Sequence, residues 1–351
     1  MSLYSLGTSL IDRGWLPDSL VRLGIRRLLN SRLTMERQRS ASNPDARHGE
    51  WAARLRNSPV APAPREANEQ HYEIPAEFYR LVLGPRLKYS SAYWPKGVSS
   101  LEDAELAMLE LTTLRSEIED GHRILDLGCG WGSLTLFLAE RFPSSEILAI
   151  SNSVSQGEAI RQEARKRNLF NLRHRVADVG QLELTERFDR VVSVEMFEHL
   201  RNYHQLLQRI SGWLVDSGKL FVHIFCHRDL TYTFEDTGDH DWMARHFFAG
   251  GLMPAEDLLP KFQDHLLLEQ RWRIGGKHYQ RTCEAWLENL DRHRELAIPI
   301  LADTYGASEA QRWLERWRVF FMACAELFGA QSGNEWRVAH YRFVRQQRSG
   351  P

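Results

Sequence analysis

The sequence lacks an excess of charge of one sign, a long apolar run and any close pair of cysteines. Its 351 residues carry a net charge of -1. Nucleic-acid-binding proteins normally show a basic excess that neutralises phosphates, so no nucleic-acid partner is expected. No run approaches the ~18 apolar residues of a membrane span, and no long apolar segment opens the chain. We therefore predict an unprocessed, cytoplasmic protein.

The cysteines are few and lie far apart. Without a C-x-x-C pair they indicate neither a zinc site nor a disulfide framework, so we expect no bound metal and a reducing compartment. The four residues are Cys129, Cys226, Cys283 and Cys324.

Charge is unevenly distributed near the N-terminus. Residues 21–40 contain six arginines and one acid, and apolar residues recur there at helical spacing after Pro17 and Asp18. This pattern predicts a basic amphipathic helix. Such a helix packs on the main domain or on a partner subunit in a homodimer, or it contacts an anionic membrane surface. The arginines are Arg22, Arg26, Arg27, Arg32, Arg37 and Arg39.

Short apolar segments alternate with helical patterns in the middle of the chain. This alternation predicts an α/β fold with a doubly wound parallel sheet covered by helices on both faces. Beyond residue 226 the pattern predicts aromatic-rich helices and a closing strand at 336–344. The central predicted strands are 123–127, 146–150, 172–176, 188–194 and 219–223, and the predicted helices are 103–115, 133–141, 157–168 and 203–214.

Three glycines follow the first predicted strand, at Gly128, Gly130 and Gly132. Glycines at the carboxyl end of a parallel strand let backbone N–H groups approach a ligand. The spacing G-x-G-x-G differs from the G-x-G-x-x-G of dinucleotide-binding proteins, and Asn152, roughly 20 residues later, is not the acid that binds an NAD ribose. The loop also lacks G-K-[ST], so neither NAD nor a nucleoside triphosphate is favoured.

An acid, Asp126, lies two residues before the first of these glycines. A carboxylate at this place suits a cationic ligand and would repel a pyrophosphate. S-Adenosyl-L-methionine carries an ammonium and a sulfonium and no phosphate, so it is the predicted cofactor. Asp178, after the third strand, lies where an adenine amino group could be met.

Seven segments resemble the cyclopropane fatty acid synthase-like methyltransferases, and most closely their coclaurine N-methyltransferase branch. They are 71–75, 87–94, 125–132, 193–199, 221–227, 241–243 and 336–341. The resemblance implies a Rossmann-like class I methyltransferase core. The implied division is an N-terminal helical extension (1–65), a helical cap contributing to the cofactor and substrate site (66–120), the core (121–228), and a helical substrate-binding insertion with closing strands (229–351).

The resemblance also implies which residues contact the cofactor. Polar side chains replace the acid that many methyltransferases use for the ribose, in agreement with Asn152. The implied contacts are, for the methionine part, Tyr89, Ser90, Gly128 and Gly130; for the ribose, Ser151, Asn152 and Gln156; and for the adenine, Asp178 and Val179.

The catalytic residues implied by the resemblance are Glu195, Glu198 and His199. Two carboxylates and an imidazole just past a strand end can bind an ammonium, accept its proton and orient it for in-line SN2 transfer. The two acids share a face only if a helical turn begins there. Taken alone, the same residues also fit a helix N-terminus with favourable acids.

The resemblance leaves two acceptors open, an amine and a lipid double bond. Cyclopropane synthases use a bound bicarbonate, and its site resembles Glu198, His223 and Tyr279 here, with Ser91 in place of a cysteine. The synthases have glycine where this chain has Glu195. An additional carboxylate beside bicarbonate is unfavourable and beside an ammonium is useful, so we predict a small amine as substrate.

Several aromatic residues are candidates to line the acceptor pocket and to stabilise a cation through their ring faces. Each could equally belong to the hydrophobic core. These candidates are Tyr72, Tyr93, Trp317, Phe320 and Phe321.

Overall fold

The computed structural model describes residues 3–40, 44–62, 74–235 and 241–346. The strands β1 to β9 are Arg123–Leu127, Glu146–Ser151, Leu172–Val176, Phe188–Val194, Leu214–His227, Tyr232–Thr233, Leu252–Met253, Leu266–Gly275 and Trp336–Arg345. The helices α1 to α12 are Leu3–Asp12, Asp18–Ser40, Pro44–Arg56, Ala76–Val82, Leu101–Ser116, Ser133–Arg141, Val154–Lys166, Tyr203–Trp213, Trp242–His246, Gly276–Arg292, Arg294–Tyr305 and Ala310–Gly329.

Seven strands form one mixed sheet in the order β3-β2-β1-β4-β5-β9-β8. Strands β1 to β5 are parallel, and β9 runs antiparallel to both β5 and β8. The central strand β1 is covered on both faces, with Ile124, Leu125 and Leu127 fully buried. The doubly wound α/β fold predicted from the alternation is confirmed. The carboxyl ends of β1, β2 and β4 meet at one edge, where ligands of such sheets bind.

Three strands in the C-terminal part, β6, β7 and β8, were missed, because the region beyond residue 226 was predicted to be helical apart from a closing strand. Strand β8 lies at the sheet edge, and charged residues interrupt its apolar pattern. Its Glu269 accepts hydrogen bonds from Arg342 of the adjacent strand β9 and from Lys219 of β5, the strand beyond it. An edge strand that is covered on one side and charged on the other gives only a weak sequence signal.

The basic helix α2 packs on the rest of the chain. Val21 and Leu33 are buried in the apolar cluster that also contains α12 residues. Five of its six arginines form ion pairs with residues that the structure describes, so their charge is largely compensated. The pairs are Arg22 with Glu284 and Glu326, Arg26 with Glu326, Arg32 with Glu36 and Asp241, Arg37 with Glu335, and Arg39 with Glu36.

These ion pairs favour the packed helix over membrane contact. Leu20 and Leu23 remain exposed on α2, and a dimer contact there stays a prediction. Among the residues that the structure describes, no helix is long and apolar enough to cross a bilayer.

Candidate active site

The glycine loop has a left-handed backbone at all three glycines, with φ of 87° at Gly128, 53° at Gly130 and 82° at Gly132. A Cβ on Gly128 would lie 2.5 Å from Met196, and one on Gly132 would lie 2.5 Å from Ile160. At Gly130 a Cβ would meet no atom of the described chain within 4 Å. Packing therefore requires the outer two glycines, whereas the middle one leaves open space for a ligand.

A cavity lies beside this loop, at the carboxyl ends of β1 and β4. Its lining brings together six of the predicted cofactor residues with Glu195 from the predicted catalytic set. The six are Tyr89, Ser90, Asp126, Gly128, Gly130 and Gln156.

The remaining predicted cofactor residues do not line this cavity. Ser151 ends β2 with its Oγ 3.0 Å from His174 Nε2, and Asp178 accepts a hydrogen bond from the Gly180 N–H at 2.7 Å. Asn152 follows β2, and Val179 packs against a hydrophobic cluster. Their roles at the ribose and adenine stay predictions.

Three buried polar atoms of the cavity wall have no hydrogen-bond partner among the described residues. They are Trp131 Nε1, Ser133 Oγ and Gln156 Nε2. A buried polar group without a partner costs free energy, roughly 1–3 kcal/mol, so this wall suits a polar ligand. Together with the open space at Gly130, these groups fit an amino-acid and nucleoside cofactor.

Asp126 is the acid of this cavity and is only 1% exposed. Its Oδ2 accepts a 2.6 Å hydrogen bond from Thr135 Oγ1. Burial raises the pKa of Asp126 to about 6. A buried carboxylate is stabilised by a bound cation, and the ammonium of S-adenosylmethionine is one.

The segment that carries Tyr89 and Ser90 is held by Glu105 of α5. The Glu105 carboxylate is fully buried and accepts hydrogen bonds from the N–H groups of Gly84, Arg86 and Lys88. The buried ammonium of Lys88 donates to Ser90 Oγ at 2.5 Å and to the Ser91 carbonyl at 2.9 Å. Sequence reasoning missed Glu105 and Lys88, although Lys88 lies inside a segment that carried the resemblance.

Glu195 follows β4 directly and has a left-handed backbone, with φ of 47°. A residue with a Cβ adopts this conformation at a cost of roughly 1–2 kcal/mol. Its carboxylate accepts three hydrogen bonds, from Ser91 N at 2.9 Å, His223 Nε2 at 3.0 Å and Tyr279 OH at 2.6 Å. Burial raises the pKa of Glu195, while Lys88, the Tyr279 hydroxyl and the Ser91 N–H favour its charged form.

Glu198 and His199 lie in a 3-10 helix, Phe197–His199, which begins two residues after Glu195, so this helical turn includes Glu198 and not Glu195. Glu198 is fully buried, and its Oε1 accepts a 2.7 Å hydrogen bond from Phe225 N. Its Oε2 has no partner within the described part of the chain. Burial, and then the charge of Glu195, raises the pKa of Glu198 well above its usual range.

His199 contributes a neutral imidazole. Burial lowers its pKa to about 4. The three side chains therefore provide a hydrogen-bonded carboxylate at Glu195, a carboxyl with a raised pKa at Glu198 and a neutral ring at His199. Neighbouring groups whose environments give them different pKa values can bind a cation and accept its proton.

Among the described residues, the aromatic side chains predicted to line the acceptor pocket are not the rings that contact the His199 ring or Tyr279. Trp317 and Phe321 are buried in an aromatic core, and Phe320 stacks on Phe247 with ring centroids 4.5 Å apart. Tyr93 lies against His278, 4.7 Å away. Tyr72 lies outside the described residues. The acceptor contacts of these four side chains stay predictions.

A different set of rings joins the two ends of the cluster. Phe248 lies 4.9 Å from the His199 ring and 5.7 Å from Phe225. Phe328 lies 6.1 Å from Phe225 and stacks on Tyr279 at 4.2 Å. Phe225 belongs to segment 221–227, whereas no motif distinguishes Phe248 or Phe328 from core residues.

The sheet order, the glycine loop with its acid and the polar cavity beside it define an S-adenosylmethionine-dependent methyltransferase. The family model described as "Mycolic acid cyclopropane synthetase" matches residues 62–338, and the chain belongs to this family.

The relatives include N-methyltransferases and a cyclopropane-fatty-acyl-phospholipid synthase. The chain is 36% identical to the (S)-coclaurine N-methyltransferase of Thalictrum flavum subsp. glaucum, over 95% of this chain and 93% of that protein. It is 27% identical to the cyclopropane-fatty-acyl-phospholipid synthase of Escherichia coli (strain K12), over 79% of this chain and 68% of that one. A crystal structure of coclaurine N-methyltransferase bound to N-methylheliamine and SAH matches with a TM-score of 0.94 at 34% identity, covering 98% of this chain and 100% of that one.

The affinity for S-adenosylmethionine is expected to fall as the pH is lowered through about 6. The carboxylate of Asp126 attracts the cofactor ammonium, and burial raises the pKa of Asp126 to about 6, so protonation removes this charge below that pH. Calorimetric titration at about pH 7.5 and about pH 5.5 measures the difference, which should be roughly severalfold. Asp126→Asn should bind weakly at both values. Equal wild-type affinity at the two values would contradict a role for Asp126 in binding.

Proposed function

We propose that this enzyme N-methylates a small aromatic or alkaloid-like amine. The observation that carries the proposal is the Glu195 carboxylate, which is fixed by three donors next to the Glu198 carboxyl and the neutral His199. This cluster can hold an ammonium, whereas a lipid double bond offers it no charge to bind. The N-methyltransferases among the relatives support the same reading.

The charge of the buried acids matches one ammonium. With Glu195 ionised and Glu198 protonated, the pair carries a single negative charge. Burial destabilises a charged amine as well as a carboxylate, so an ammonium that enters this site releases its proton more readily than in water. The neutral His199 ring is positioned to accept that proton, which leaves the nitrogen lone pair free.

The bound cofactor supplies a sulfonium methyl group as the electrophile. The chain must then keep the acceptor nitrogen aligned and water away from it. The rings of Phe225, Phe248 and Phe328 contact one another in series between His199 and Tyr279. The faces of such rings attract a cation. We propose that these rings, together with Tyr279, form the acceptor wall.

Methylation of a lipid double bond would need a bicarbonate site. In this chain the Glu195 carboxylate occupies the corresponding donors. Of the positions that resemble that site, Ser91, His223 and Tyr279 all donate to the Glu195 carboxylate. A side chain thus takes the place of the dissolved anion. A second anion next to Glu195 would be repelled, which favours the amine.

The segments of the proposed division contribute different residues to the cofactor cavity, the catalytic cluster and the proposed acceptor wall. Segment 66–120 contributes Tyr89 and Ser90 to the cofactor cavity, and the core 121–228 contributes the glycine loop and the catalytic cluster. Segment 229–351 contributes Tyr279 and the rings of Phe248 and Phe328. The extension 1–65 packs behind them through α2.

Methyl-labelled S-adenosylmethionine tests the proposed acceptor. The protein is incubated with a pool of small secondary and tertiary amines and, separately, with vesicles of unsaturated phospholipid. We expect label in the amine pool and none in the lipid. Asp126→Asn, which should bind the cofactor weakly, is the control and should label neither pool strongly. Label confined to phospholipid would overturn the proposal.

A further inference from the structure

A row of hydrogen-bonded side chains leads from Glu195 across the sheet. His223 Nε2 lies 3.0 Å from Glu195 Oε1, and His223 Nδ1 lies 3.0 Å from His340 Nε2. His340 Nδ1 in turn lies 2.9 Å from Arg115 Nη1. The strand register produces the row, because His223 of β5 pairs with Val194 of β4 on one side and with His340 of β9 on the other.

The chemistry of arginine fixes the direction of every bond in this row. A guanidinium can only donate, so Nδ1 of His340 must accept. In a neutral imidazole the other nitrogen then carries the hydrogen, so His340 Nε2 donates to His223 Nδ1. By the same reasoning His223 Nε2 carries a hydrogen and donates to Glu195. Both imidazoles are fully buried, and burial lowers the pKa of each well below its usual value, so both remain neutral.

We infer that Arg115 and His340 are positioning residues that keep the Glu195 carboxylate ionised and correctly oriented. The positive charge on Arg115 polarises two aligned imidazoles, and each bond in such a chain strengthens the next. Neither residue reaches the cavity that carries the cofactor loop. The link from Glu195 to catalysis rests on the proposed function, whereas the row itself does not.

Other charged and titratable groups also face this row. Glu195 is faced by Lys88, Glu198, His199 and Tyr279. Lys88 also acts through space on both imidazoles, and Tyr93 faces Arg115. Because Lys88 donates its own hydrogen bonds to Ser90 and Ser91, it cannot replace Arg115 in the row. Lys88 still favours the charged form of Glu195 from outside the row. Removing Arg115 is therefore expected to weaken the stabilisation of the Glu195 carboxylate without abolishing it.

The pH dependence of kcat/KM tests the inference in the variant Arg115→Met. Loss of the distant charge destabilises the Glu195 carboxylate, so its pKa should rise and the acidic limb of the profile should move to higher pH by about one unit. Cofactor affinity should not change. Arg342→Met is the matched control, because the Arg342 and Arg115 guanidiniums both lie over the Trp272 ring and only Arg115 belongs to the row.

Two substitutions of His340 separate positioning from packing. His340→Gln keeps an acceptor for Arg115 and a donor for His223, whereas His340→Met keeps only bulk. We expect the glutamine variant to retain most of the wild-type profile and the methionine variant to shift as Arg115→Met does. The inference is overturned if the limb stays in place in Arg115→Met, if Arg342→Met shifts it equally, or if the two His340 variants behave alike.

Nitrogen-15 NMR of labelled histidine reads the row without any substrate. His223 and His340 are both expected as neutral tautomers with hydrogen on Nε2 from about pH 6 to about pH 8. Assignment uses His340→Gln, which removes one signal. A hydrogen on Nδ1 or a charged ring at either position overturns the inference even in an active enzyme. If both tautomers appear as expected and no amine is methylated, the proposed function fails while the row stands.

Discussion

Glu198→Ala is expected to bind the cofactor as the wild type does and to turn over roughly 10²- to 10⁴-fold more slowly. Glu198 does not line the cavity that holds the cofactor loop, and its Oε2 has no partner among the described residues. Its carboxyl is therefore available for the acceptor. Single-turnover rates measure the chemical step, and calorimetry with SAH measures cofactor binding. His199→Ala is expected to behave in the same way.

The matched control for this prediction is Glu198→Gln. The glutamine oxygen can still accept the hydrogen bond from Phe225 N, so the local backbone is preserved while proton exchange at the carboxyl is lost. A glutamine variant as slow as the alanine variant would place the defect in the chemistry. Loss of cofactor binding with an unchanged rate in the bound complex would contradict the role given to Glu198.

Glu195→Gly is expected to lose most amine methylation, by roughly 10²-fold or more, and to regain part of it when bicarbonate is added. The substitution frees three donors that now hold the Glu195 carboxylate, namely Ser91 N, His223 Nε2 and Tyr279 OH. A small anion can occupy the vacated place and restore the missing charge. Rates in bicarbonate-free buffer, with and without added bicarbonate, measure the effect.

The glycine variant is expected to fold, because glycine adopts the φ of 47° at position 195 without steric cost. Glu195→Leu serves as its control, since the leucine side chain fills the space and offers no anion site. It should be inactive with and without bicarbonate. Equal stimulation of the wild type, the glycine variant and the leucine variant would show that bicarbonate acts elsewhere.

The parts of the site that are continuous in sequence could be predicted from it. Asp126 lies on the last part of β1 with the glycine loop directly after it, and Glu195, Glu198 and His199 lie within a few residues after β4. The strand pattern places both at one edge of the sheet. The local strand pattern was sufficient to place these segments, whereas the roles of Glu195, Glu198 and His199 were implied by the family resemblance and stay predictions.

The parts that depend on tertiary packing could not be predicted. The row from Arg115 to Glu195 joins a helix and two strands that are separated by more than a hundred residues. The aromatic residues pose a related problem. An aromatic side chain that faces an acceptor has the same chemistry as one that fills the core. The sequence alone therefore could not show that Trp317 lies in the core and that Phe248 contacts His199.

The left-handed backbone at residue 195 has a consequence for how such enzymes diversify. A glycine codon becomes a glutamate codon through one base change, and this backbone conformation suits glycine already. A single substitution there can exchange a freely diffusing anion for a tethered one. The sheet, the glycine loop and the cofactor cavity need not change for this exchange.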